Sequence, residues 1–80
     1  MKLRLVTLSG LKFQEEVYSV QIPTAVGEIG VFDDHEPLVT IALSGVLTVR
    51  RKKDDSDDEL EYYAINGGAV QIMDNEVKIL

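Results

Sequence analysis

The chain has 80 residues and no cysteine, and its 14 acidic and eight basic side chains give a net charge of −6. A chain this short forms one domain with a small core, and without cysteine no disulfide stabilises it. A single histidine leaves no zinc ligand set. The negative charge disfavours nucleic acids and anionic membrane surfaces as partners. No stretch reaches the roughly 18 apolar residues of a membrane span, so we expect neither a span nor a signal peptide.

Apolar and polar residues alternate from the start of the chain, with the two-residue period of a β-strand. The first strand is predicted over residues 2–8. Two more strands are predicted around Phe13 and over residues 17–22, before Pro23 removes a backbone donor.

The middle of the chain predicts a hairpin. Residues 38–43 are apolar on both faces apart from Thr40, as expected of a strand that is covered on both sides. Ser44 and Gly45 are typical turn residues, so a second strand is predicted over residues 46–49.

The last third of the chain predicts three strands, over residues 60–65, 69–73 and 76–80. The group at residues 66–68, Asn-Gly-Gly, separates the first two. It fits either a hairpin turn or a bulge that lets another backbone approach closely. Apolar residues nowhere follow the helical period, and turn signals come about every 8 to 12 residues, which together predict an all-β sandwich or barrel with almost no helix.

The most biased segment, residues 50–61, runs from four basic residues into six acidic ones. Asp54, Ser56 and Asp58 stand at positions 1, 3 and 5 of a calcium-loop pattern. Glu59 occupies the position that needs glycine, and isoleucine the one that needs a bidentate glutamate. A solvated hairpin tip is therefore favoured over a metal site, and we expect no metal and no cofactor.

The sequence offers little for catalysis. It has no cysteine and no Gly-x-Ser-x-Gly elbow, and a standalone enzyme would need His35 to form a pocket with Glu28 or Asp34. A surface turn is the favoured interpretation of His35, with a pH-responsive contact as the alternative. We expect no enzymatic activity.

Several motifs carry a resemblance to a known family. Residues 27–31 read GEIGV, residues 35–40 read HEPLVT and residues 45–47 read GVL, while residues 66–72 read NGGAVQI and residues 75–77 read NEV. This set resembles the amino-terminal domain of the ε subunit of F-type ATP synthases, over essentially the whole chain.

The resemblance implies a single domain over residues 1–80, folded as a two-sheet antiparallel β-sandwich of about ten short strands. It also implies a non-catalytic rotor subunit in the central stalk, which binds the γ subunit and the c-ring and couples ion translocation to ATP synthesis. Such a subunit would be peripheral, on the cytoplasmic, stromal or matrix-equivalent face of the membrane, and would meet the membrane only through the complex.

The resemblance further implies two contact surfaces. The ring-facing turn maps to Gly27, Glu28 and Ile29. The γ-facing surface includes positions that match Thr7, His35, Thr40 and Asn66.

Two departures from the family pattern bear on these expectations. Asp33 and Asp34 stand where the family has Pro-Gly, which adds negative charge and changes the residues expected of that turn. The carboxy-terminal helical hairpin of the family is absent from this sequence. Inhibition of hydrolysis and nucleotide binding belong to that hairpin, so neither is expected here.

A lipoyl or biotinyl carrier domain is the alternative from a different class. Such domains are also acidic, rich in strands and about this long, and carry a lysine at a hairpin tip. Lys53 followed by Asp54 is similar to that arrangement, although the flanking residues lack the carrier motifs.

Overall fold

The computed structural model describes residues 1–6, 10 and 12–80, with Lys12 described by its backbone alone. The strands, in chain order, are Lys2–Val6 (β1), Lys12–Glu16 (β2), Ser19–Thr24 (β3), Gly27–Phe32 (β4), Leu38–Arg50 (β5), Glu61–Met73 (β6) and Glu76–Ile79 (β7). A three-residue 3₁₀ helix, Asp57–Glu59, is the helical part of the described chain. The predicted all-β class with almost no helix is confirmed.

The strands form one sheet in the order β2-β1-β7-β6-β5-β3-β4. Neighbours are antiparallel except β1 and β7, which run parallel. The expectation of two antiparallel sheets with about ten strands is therefore corrected to seven strands in one mixed sheet, counted over the described residues. Fewer strands are needed because β5 and β6 are each 13 residues long.

The predicted turn at Ser44 and Gly45 is wrong, because β5 continues through both residues. Its pairing with β6 keeps one register from Leu38 opposite Ile72 to Val49 opposite Glu61. Cross-strand pairing along two long strands thus outweighs the turn preference of a Ser-Gly pair.

The Asn-Gly-Gly group does not end a strand either. Gly67 and Gly68 have φ angles of 88° and 138°, which glycine adopts readily, so β6 bends without breaking. A Cβ on Gly68 would overlap the carbonyl oxygen of Leu80. Of the two alternatives, the structure shows the close approach of another backbone, which is that of Leu80.

The buried face of β5 changes along the strand. Ala42 is buried in its first half, whereas Leu47 and Val49 are buried in its second half. Since side chains alternate, even-numbered and odd-numbered residues face opposite sides of a strand. The strand therefore turns over between residues 42 and 47, and a matching change in β6 falls at its two glycines.

This change divides the sheet into two layers around one core. The first layer holds β2, β1, β7, the second half of β6 and the first half of β5. The second layer holds β4, β3, the second half of β5 and the first half of β6. The core is aliphatic and draws on both layers, chiefly through Leu3, Val20, Ile22, Val31, Leu47, Val49, Val70, Ile72, Val77 and Ile79.

Strand β2 lies at one edge of the sheet and closes against the far end of β5 and β6. The rings of Phe13 and Tyr63 lie 5.0 Å apart between centroids. Arg51 bonds Glu15 of β2 at 2.9 Å and also binds Glu61 through two nitrogens, and the Tyr63 hydroxyl donates to Glu61 at 2.8 Å. The hydrogen bond from Arg51 lowers the pKa of Glu61, so this closure contains a stabilised carboxylate.

The loop between β4 and β5 contains the left-handed backbone conformation that glycine favours. Asp34 has a φ of 59°, a left-handed conformation that aspartate tolerates better than most residues. Its amide donates to Oδ1 of Asn75 at 3.0 Å. Asp33 accepts from the Met1 ammonium at 2.8 Å and thereby raises the pKa of that amino group. Both aspartates thus have structural contacts in the place of the family's Pro-Gly.

Candidate protein-binding surfaces

Strand β5 exposes a row of apolar side chains on the outer face of the first layer. Val39 is 72% exposed, Ile41 59% and Leu43 47%, and their spacing of two puts them on one face. We call these three residues the β5 stripe. The expectation that this chain covers both faces of the strand is wrong, since the outer face is open to solvent.

The apolar surface continues across the neighbouring strands. The register of β6 and β7 places Met73 and Leu80, which are 44% and 58% exposed, on the same outer face. The surface then becomes charged at β7 and β1, where Arg4 bonds Glu76 at 3.2 Å. Exposed apolar patches of this kind mark interaction sites on small proteins.

Two of the residues predicted to face γ, Thr40 and Asn66, lie on the β5–β6 hairpin but not on one face. Thr40 is half-buried and shares the inner face with its partner Val70. Asn66 is exposed, and its partner Ser44 lies four residues along β5 from Thr40, about 13 Å away.

The other two predicted γ-facing residues precede β5. His35 is half-buried in the loop between β4 and β5, and its Nδ1 lies 2.6 Å from the carbonyl oxygen of Glu36. Thr7 lies outside the described residues. The sequence analysis missed the β5 stripe. Its signal was the apolar run at residues 38–43: where the chain itself covers only one face of such a strand, the other face needs a partner to cover it.

The predicted ring-facing residues lie at the tip of the β3–β4 hairpin. Gly27, with a φ of 114°, opens β4, and its carbonyl accepts from the Thr24 hydroxyl at 2.5 Å. Glu28 is exposed, whereas Ile29 is half-buried and packs against the core. The tip also carries Val26, which is 91% exposed and was missed by the sequence analysis.

A cavity of about 520 Å³ lies on the outer face of the second layer. We call it the outer groove, and its lining includes Gln21, Gly30, Phe32, Thr48, Arg50 and Tyr62. Neither His35 nor the carboxylates proposed to act with it line this groove. The residues needed for the enzyme alternative are therefore not assembled there.

Comparison with known proteins shows the family that this chain resembles. Residues 1–80 match the family described as ATP synthase, Delta/Epsilon chain, beta-sandwich domain. The ATP synthase epsilon chains of Synechocystis sp. and Prochloron didemni are each 32% identical over 80 residues, covering 100% of this chain and 55% of theirs. That of Sulfurimonas denitrificans is 31% identical, covering 100% of this chain and 58% of its own.

Two solved structures are similar in fold. One chain of the Euglena gracilis mitochondrial ATP synthase OSCP/F1/c-ring structure has a TM-score of 0.79 and 30% identity, over 96% of this chain and 47% of that chain. A chain of the Tetrahymena thermophila mitochondrial ATP synthase central stalk/c-ring structure has a TM-score of 0.76 over 99% of this chain and 60% of that chain. The second, at 17% identity, shows the fold alone.

A two-layered β domain with exposed apolar side chains on its outer faces has the features of a protein-binding module. The chain belongs to the ATP synthase delta/epsilon β-sandwich domain family, and the resemblance seen in its motifs is confirmed. It spans about half the length of the curated relatives it matches. The family is not that of lipoyl or biotinyl carriers, which overturns that alternative. Within the described residues, no helix has the length and apolar character to cross a membrane.

Proposed function

We propose that this chain is the adaptor domain of an ε-type subunit in the central stalk of an F-type ATP synthase, where it binds γ and the c-ring and takes no part in catalysis. The observation that carries the proposal is the β5 stripe, an exposed apolar row in a domain of this family. Relatives named ATP synthase epsilon chain, and a fold neighbour within a c-ring structure, support it.

The γ contact uses the β5 stripe and the surface around it. Burial of apolar side chains is the main favourable term in stable association, and the stripe supplies them from a strand that pairs with β6 along its length. The stripe is therefore held on a rigid element. Thr7, His35, Thr40 and Asn66, the positions that match the family's γ-facing surface, stay predictions for this contact.

The c-ring contact uses the tip of the β3–β4 hairpin. Thr24 pairs with Ala42, so the hairpin extends from the sheet next to the Leu43 end of the stripe. Val26, Gly27 and Glu28 then meet the ring while the neighbouring face meets γ. Ile29 supports the tip from the core.

The proposed mechanism is mechanical and involves no reacting group. The domain fastens the ring to γ, so that rotation of the one is transmitted to the other without slip. A stable interface uses about 800 Å² of each partner, and this chain exposes 5174 Å² in total. It therefore has room for two partners.

Calorimetric titration of the chain into γ tests the γ contact. Val39→Glu should weaken binding at least about tenfold, because it buries a charge within the contact. Val46→Glu is the matched control: the same substitution on the same strand, at a side chain 48% exposed on the outer face of the second layer. Equal affinities for Val39→Glu, Val46→Glu and the unchanged chain would contradict the proposed face.

A further inference from the structure

We propose that the outer groove binds an extended basic segment of a partner protein, with one aromatic or large aliphatic side chain of that segment between Phe32 and Tyr62. This groove is on the layer that does not carry the β5 stripe. The inference does not rest on the β5 stripe, and it shares Glu28 alone with the proposed c-ring contact.

The shape of the groove follows from one cross-strand row. Gly30 pairs with Gln21, Gln21 with Thr48, and Thr48 with Tyr62, so the row crosses four strands on one face. Glycine and two modest polar side chains form its floor. Four strands about 4.8 Å apart span roughly 15 Å, which matches about five residues of extended chain.

Two aromatic side chains border this floor. Tyr62 is 61% exposed and Phe32 is 52% exposed. The Phe32 ring is held edge-on by Tyr18, with centroids 5.7 Å apart and planes at 78°. Ordered aromatic rings lose little entropy on binding and are enriched at protein interfaces. In the proposal, one large apolar side chain of the partner lies between the two rings.

Acidic groups lie at both ends of the groove. Glu28 lies on the same face of β4 as Gly30, two residues away, and the acidic 3₁₀ helix Asp57–Glu59 lies at the other end, where Asp57 lines the cavity. Carboxylates at both ends favour a positively charged segment and disfavour phosphate groups.

Arg50, the cation in the groove wall, does not reverse this preference. Its Nη1 donates to the carbonyl oxygen of Asp55, and its Nη2 lies 3.5 Å from Oδ1 of Asp57. The guanidinium is thus directed toward the acidic segment that follows β5. The partner's basic side chains then meet Glu28 at one end of the groove and the carboxylates of the 3₁₀ helix Asp57–Glu59 at the other.

Titration of the isotopically labelled chain with three capped pentapeptides, followed by amide NMR shifts, tests this inference. The first peptide has phenylalanine between two pairs of lysines. The second has alanine in place of the phenylalanine, and the third has glutamates in place of the lysines. The first should give saturable shifts at Gln21, Gly30 and Thr48. The alanine peptide should bind at least about fivefold more weakly, and the glutamate peptide should leave these amides unchanged.

Two pairs of variants locate the contact. Tyr62→Ala should weaken binding of the phenylalanine peptide about fivefold or more, while Val46→Ala, at a side chain 48% exposed outside the groove lining, should leave this binding unchanged. Asp57→Asn should weaken binding of this peptide more than Asp54→Asn does. Asp54→Asn is the control, because it makes the same change in net charge outside the groove lining. Shifts confined to residues 54–59, equal effects of the two aspartate variants, or no saturable shift up to about 10 mM would overturn the inference.

Discussion

Residues with positive φ angles join two turns of this domain. Among the described residues, Asp34, Asp74 and Asn75 are the non-glycine residues with positive φ, and the Asn75 side chain accepts from the Asp34 amide. Asparagine and aspartate occupy this region more easily than other side chains. The turn that follows β4 and the turn that joins β6 to β7 are thereby linked.

Gly68 is the residue whose side-chain absence matters most. Gly68→Ala should lower the free energy of unfolding by at least about 2 kcal/mol, because it combines a positive φ with overlap of its Cβ on the Leu80 carbonyl. Urea denaturation measures the change. Gly27→Ala is the control, since Gly27 also has a positive φ but nothing within 4 Å of the added carbon. A loss at Gly68 no greater than that at Gly27 would contradict the close approach.

Strands β5 and β6 show what a sequence can and cannot reveal about an element. An apolar run predicted the first part of β5, and alternation predicted the first part of β6, because both patterns are local. Their continuity was missed at Ser44 and Gly45, since it depends on pairing with residues 65 and 66 rather than on neighbours. The parallel pairing of β1 with β7 has the same origin, as it joins residues more than 70 positions apart.

The turnover of β5 has a direct consequence for stability. Leu47 is fully buried, whereas the adjacent Val46 is 48% exposed. Leu47→Ala should lower the free energy of unfolding by about 2 to 5 kcal/mol, through lost burial and the cavity left behind. Val46→Ala should change it by less than about 0.5 kcal/mol. Chemical denaturation of both variants measures these changes. Equal losses of unfolding free energy would refute the assignment of Leu47 to the core and Val46 to the outer face.

The closure of β2 against β5 and β6 should make stability depend on pH. The hydrogen bond from Arg51, with a second from Tyr63, lowers the pKa of Glu61 from its usual value of 4.5. A carboxyl with a lowered folded-state pKa stabilises the fold above its unfolded value, and that contribution is lost as the pH falls through the folded value. The closure is thus strongest at neutral pH.

Glu61→Gln tests this closure. The difference in unfolding free energy between the unchanged chain and the variant should be constant near pH 7 and shrink below about pH 4.5. Urea denaturation at a series of pH values measures it, with Glu36→Gln, at an exposed carboxyl, as the control. A difference that stays the same down to about pH 2.5 would show that Glu61 is not stabilised as a carboxylate.

At the scale of the whole molecule, the motifs of the sequence identified the family and the hairpin tip at Gly27 and Glu28. They did not show which faces stay open, because exposure depends on how the layers close. Val26 and the β5 stripe became apparent only with the burial of each side chain. The candidate surfaces therefore combine motif positions with residues that only the fold reveals.

The most direct test of the adaptor account compares the affinity of the chain for γ alone with its affinity for a γ–c-ring complex. The account predicts tighter binding to the complex, because the β3–β4 tip adds a second contact beside the γ-binding face. Val26→Asp should remove that gain and leave the affinity for γ alone unchanged. Failure to bind the complex, or the same affinity for both targets in the unchanged chain, would contradict the claim that this domain joins γ to the ring.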